Sequence, residues 1–128
     1  MAKYVIQSDE GAVPLGAYSQ GWRAGDFIYV TGTGPVGPEG KVVGDTIEEQ
    51  TSKVIDNIEA ILKADDASLD DVIKMNVHLS DTNLFSRYNE VYKTRFKQPY
   101  PSRTTVGSDL NHLPGMMIEI DCVAYVGD

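Results

Sequence analysis

One face of the segment 116–126 is wholly apolar, and this is the tightest constraint the chain carries. Met116, Ile118, Ile120, Cys122 and Ala124 fall on one side of a period of two, and Glu119, Asp121 and Tyr125 on the other. That period belongs to a strand with one buried face. The fold is therefore a sheet, and something must cover one side of it. The cover is legible upstream. Thr46 and Glu49 form a capping box, and Ile47, Thr51, Val54, Ile58 and Ile61 follow as a single helical stripe ending near Ala64.

The remaining elements follow from the same two periods. Tyr4–Ile6 reads as a short strand. Trp22–Thr33 reads as a hairpin turning at Ala24-Gly25-Asp26, and a Gly/Pro-rich loop runs from Gly32 to Gly44 with a turn at Pro38-Glu39-Gly40. Ser68 with Asp71 starts a single turn before a strand over Val72–Leu79, whose Ile73, Met75, Val77 and Leu79 are expected to face the core. A second helix is predicted from about Thr82 to Phe96, with Leu84, Tyr88, Val91 and Tyr92 as its apolar side, and Pro99 and Pro101 stop it. A strand over about Arg103–Val106 precedes the last one. The order β-β-β-α-β-α-β-β gives an α/β domain over residues 1–128. Right-handed crossovers put both helices on one face of one mixed sheet. The other face then lacks a cover, which predicts a homo-oligomer.

Composition narrows the function classes. A net charge of −8 and no basic cluster argue against nucleic acid as a partner. No run approaches the roughly 18 apolar residues of a membrane helix. The N-terminus has no secretory pattern and Cys122 is the only cysteine, so a cytoplasmic setting is expected. Gly32-Thr33-Gly34-Pro35-Val36-Gly37 has the letters of a dinucleotide fingerprint, but the helix begins only at Thr46, too late to hold a pyrophosphate. His78 and His112 have no companion ligands at metal-binding spacing, so neither a metal nor another cofactor is predicted. Two features point to chemistry. Glu119 and Asp121 share a strand face and need partners there. Arg103, at a strand start with Thr104 and Thr105 behind it, could grip a carboxylate through two parallel hydrogen bonds.

Taken with Gly16-x-Tyr18-x-Gln20, Val30-Thr31-Gly32, Tyr88-Asn89, Pro101-Ser102-Arg103 and Ile118-Glu119-Ile120-Asp121, these residues resemble the RidA/YjgF family, also called the L-PSP endoribonuclease or translation-inhibitor family. The resemblance runs over essentially the whole chain. It implies a chorismate-mutase-like fold in a barrel-like homotrimer with clefts between subunits. It also implies hydrolysis of 2-aminoacrylate, 2-iminopropanoate or 2-iminobutanoate to 2-oxo acids and ammonia, without a cofactor. By position, Arg103 would clamp the substrate carboxylate and Asp121 would hold the attacking water. Tyr18, Thr31, Gly32, Asn89 and Thr105 would line the site. Two positions depart from the family pattern: Thr105 stands where a cysteine is usual, and Asp121 where a glutamate is expected. Glu119 would replace Asp121 only with a shifted register. These departures leave a non-catalytic carboxylate-binding or chaperone-like trimer as the alternative, with ribonuclease activity third.

Overall fold

The computed structural model describes residues 2–128. Six strands form one sheet: β1 (Lys3–Ile6), β2 (Gly21–Ala24), β3 (Phe27–Thr33), β4 (Val72–Leu79), β5 (Ser102–Gly107) and β6 (Ile118–Tyr125). Their spatial order is β1-β2-β3-β6-β4-β5. The β4–β5 pair is parallel, and all other neighbours are antiparallel. Helix α1 (Ile47–Lys63) carries the chain from β3 to β4, and α2 (Phe85–Arg95) links β4 to β5. The two helices touch, and α1 packs on β3 and β6.

The capping box forms as read. Thr46 Oγ1 accepts from Glu49 N at 3.1 Å, and Glu49 Oε1 accepts from Thr46 N at 3.2 Å. The stripe of α1 is fully buried against Ile28, Ile118, Ile120 and Cys122 of the sheet. Complete burial of one such isoleucine is worth about 1.5–3 kcal/mol. Two buried polar residues interrupt the stripe. Gln50 donates to Gly44 O and Gly115 O and accepts from Met117 N. Asn57 donates to Gly34 O and Val36 O. Both satisfy loop backbone that would otherwise be buried unpaired. They also fasten the loop after β3 and the loop before β6 to the helix.

Helix α2 is shorter than its pattern. Thr82–Leu84 is a 3₁₀ turn capped by Asp81, whose side chain accepts from Asn83 N, and regular helix begins at Phe85. The facing of Ile73 also departs from expectation. It is 47% exposed while Val72 is buried, because Val72 pairs with Ala124 and Lys74 with Val123. Two residues of β4 thus span one step of β6, a bulge that turns Ile73 outward. A second bulge lies in β3, where Val30 pairs with Cys122 and Thr33 with Ile120, so that Thr31 and Gly32 together oppose Asp121. Strict alternation cannot reveal either insertion.

Among the described residues no helix is long and apolar enough to cross a membrane. The sheet face away from the helices carries exposed Val5, Trp22, Tyr29 and Val106 among polar residues.

Candidate functional site

The β3 bulge makes one half of the site. Gly32 lies so close to Glu119 that a Cβ at this position would stand 3.0 Å from Glu119 Oε2. The backbone leading there is fixed. Thr31 N donates to Gln20 O at 3.0 Å, and Thr33 Oγ1 donates to Thr31 O at 2.8 Å. Gln20, the last residue of the Gly-x-Tyr-x-Gln motif, is itself buried. It accepts from Ser8 N and donates to Ser8 O and Ala12 O. Its task is to pin the loop before β2, from which Tyr18 projects with its hydroxyl accepting from Leu15 N. Between these parts lies a cavity of about 460 Å³ whose walls include Tyr18, Thr31, Gly32 and Glu119. His112 and Met116, from the loop before β6, close it.

Asp121 is not part of that wall. Two residues along the same face of β6, its Oδ1 accepts from Asn76 Nδ2 at 2.9 Å. Its Oδ2 is 3.9 Å from His78 Nε2, and His78 Nδ1 is 2.7 Å from Ser108 Oγ. These residues form a polar network across the open face. The carboxylate that reaches the cavity is Glu119, and no slip of register is needed: it is the β3 bulge that sets Gly32 against it.

Arg103 builds the other half, on the helix side of the sheet. Its register partner is the buried Met75, in the row that continues to Cys122. The guanidinium carbon sits 4.6 Å from the ring centre of Tyr92 and 5.3 Å from those of Tyr88 and Phe85. Nη1 donates to Asn89 Oδ1 at 2.9 Å. No acid among the described residues lies within ion-pair distance of it. The aromatic faces stabilise the cation. Its other N–H donors remain for an anion, beside a hollow of about 400 Å³ formed with Asn89, Tyr92, Lys93 and Tyr100. Thr105, two residues on, is 2.7 Å from the Tyr88 hydroxyl through Oγ1. Desolvation raises the hydroxyl pKa of Tyr88 and pushes that of Tyr92 up to about 12. Both phenols therefore stay neutral beside the guanidinium.

The sequence-predicted residues thus fall into two clusters. Tyr18, Thr31 and Gly32 come together with Glu119 and His112. Arg103, Asn89 and Thr105 come together with Tyr88 and Tyr92. The sheet stands between Arg103 and the two β6 carboxylates, so one chain does not bring them to one substrate. Sequence reasoning missed His112 and Met116 as cavity walls, although the Leu113-Pro114-Gly115 turn before β6 was a signal that a shaped loop enters there. Cys122 is buried and its thiol is pushed up to about 12, mainly by desolvation, so it contributes packing. Among the described residues no group of His, Cys, Asp and Glu could hold a metal ion.

Comparison with known proteins supplies the family. The family model described as Endoribonuclease L-PSP matches residues 10–126. A RutC family protein of Pyrococcus abyssi is 44% identical over 127 residues, 98% of each chain. Reactive Intermediate Deaminase A, chloroplastic, of Arabidopsis thaliana is 36% identical over 95% of this chain and 65% of its own length. Among solved structures, E. coli TdcF with bound serine superposes with a TM-score of 0.88 at 30% identity, covering 97% of this chain and 99% of that one. Matched across nearly its full length by both sequence and structure, the chain belongs to the RidA/YjgF family.

Proposed function

We propose that this protein hydrolyses reactive 2-imino acids to 2-oxo acids and ammonia, at a site that two copies of the chain build together. The observation that carries this reading is Arg103, a guanidinium seated on three aromatic rings with no acidic partner and with donors to spare. Such a group suits a carboxylate-bearing substrate. The second cluster supplies the reaction. With the substrate carboxylate on Arg103 of one copy, the imine carbon would lie in the cavity of its neighbour, near Glu119. The Glu119 carboxylate accepts a proton from water as the oxygen attacks the protonated imine. The proton then passes to the nitrogen of the tetrahedral adduct. Glu119 then takes the hydroxyl proton of the adduct as its O–H electrons form the C=O bond of the 2-oxo acid, and ammonia leaves with the C–N electron pair. General-base help of this kind contributes typically about 10²–10⁴-fold.

The role assigned by position to Asp121 goes to Glu119 in this scheme, because Glu119 lines the cavity and Asp121 is held by Asn76. The exposed Val5, Trp22, Tyr29 and Val106 on the open face of the sheet support assembly, and a barrel-like trimer would cover them. The test is to generate 2-aminoacrylate in situ and follow pyruvate release with and without the protein. Acceleration that disappears in Arg103→Ala is expected. A rate equal to background would leave carboxylate binding without turnover, the reading to which serine-bound TdcF lends weight.

A further inference from the structure

The lining of the cavity beside Glu119 bears on which side chain a substrate carries. Its polar wall residues include Glu119, Thr31, Gln20 and His112. Val13, Leu15, Leu113 and Met116 line it as well. Its apolar lining is extensive, and no lysine or arginine is part of it. At about 460 Å³ it falls in the range that accepts ligands of drug-like size, and a methyl or ethyl substituent would leave most of it to water.

From this we infer that the preferred substrates are 2-imino acids with long apolar side chains, of the kind derived from leucine or methionine, over the three- and four-carbon acids. The inference rests on the proposed reaction for its orientation. With the imine carbon beside Glu119, the substituent takes up the rest of the cavity, which Val13, Leu15, Leu113 and Met116 help to line. Each methylene buried there strengthens binding about fourfold. A second carboxylate on the side chain is disfavoured, because it would meet Glu119 in a cavity whose lining holds no lysine or arginine to receive it. A cationic side chain would lose its water shell among the same residues. Val13 is the wall residue best suited to probe this, since it is 52% exposed and its replacement leaves the core untouched.

The experiment uses the full chain and the product acids as probes: pyruvate, 4-methyl-2-oxopentanoate and 2-oxoglutarate, titrated calorimetrically. The expected order is 4-methyl-2-oxopentanoate at least tenfold tighter than pyruvate, with 2-oxoglutarate weakest. In parallel, the imines of alanine and leucine, released by an L-amino-acid oxidase, are compared by kcat/KM, with the same preference expected. Val13→Trp should cut the leucine-to-alanine ratio by about tenfold in both measurements. Binding of pyruvate as tight as that of 4-methyl-2-oxopentanoate, or a ratio unmoved by Val13→Trp, overturns the inference. The predicted binding order without any turnover would overturn the hydrolytic reading and leave this preference standing. No binding of any of the three acids overturns both.

Discussion

Glu119 stands directly against the backbone of Gly32: a Cβ added there would come within 3.0 Å of its carboxylate oxygen and 3.2 Å of its carboxyl carbon. The pair exists because the β3 bulge puts Thr31 and Gly32 together opposite a single residue of β6. Gly32→Ala is therefore expected to push the carboxylate aside. A displacement of about 1 Å in a reacting group costs about 10²-fold in rate. The check is kcat/KM for imine hydrolysis beside thermal unfolding, with the rate falling far more than the stability.

The two acids of β6 should separate cleanly. Glu119→Gln removes the base and is expected to lower kcat by about 10²–10⁴-fold. Asp121→Asn keeps a partner for the Asn76 amide and should change kcat by less than about fivefold, since Asp121 lies outside the cavity wall. Steady-state kinetics of the two variants side by side decide which carboxylate acts. The reverse ranking would return the role to Asp121.

Arg103 is expected to resist conservative replacement. Arg103→Lys keeps the charge but loses the planar fork and the stacking on Tyr92. Calorimetry with 2-oxobutanoate should show both Arg103→Ala and Arg103→Lys weakened by about tenfold or more. Lysine restoring wild-type affinity would argue for simple charge attraction.

Tyr92 yields a prediction about pH. Among the described residues its buried hydroxyl has no hydrogen-bond partner, and burial pushes its pKa up to about 12 from the ordinary 10.0. Above pH 10 the unfolded chain loses this proton while the folded chain keeps it. The stability linked to Tyr92 is therefore complete below pH 10 and lost as pH rises toward 12. Tyr92→Phe removes the unpaired hydroxyl and this part of the alkaline loss. Denaturant melts at pH 7 and pH 11 should find the variant at least as stable as wild type at pH 7, with a shallower fall at pH 11. A steeper fall would contradict the account.

Much of this was readable from spacing. The capping box at Thr46, the stripe of α1 and the apolar face of β6 each depend on one local period, and each formed where the period placed it. Ile73 and Glu119 mark where that reading ran out. A bulge adds one residue to one strand and leaves no trace in composition, yet it reverses the facing of Ile73 and sets Gly32 against Glu119. The split of the site had the same origin in three dimensions. Arg103 and Glu119 each carried a legible chemical signal. That they occupy opposite faces follows from the parallel β4–β5 pairing through Met75, which no spacing along the chain states.

The central claim is that Arg103 and Glu119 meet only between copies. The direct measurement is to mix Arg103→Ala and Glu119→Gln chains, unfold and refold them together, and assay imine hydrolysis. Each variant alone is expected to be inactive. In the mixture, half the sites receive an intact arginine and half of those an intact glutamate, so about a quarter of wild-type activity should return. Activity no higher than that of the two variants assayed separately would place both residues in one chain's site and contradict the account.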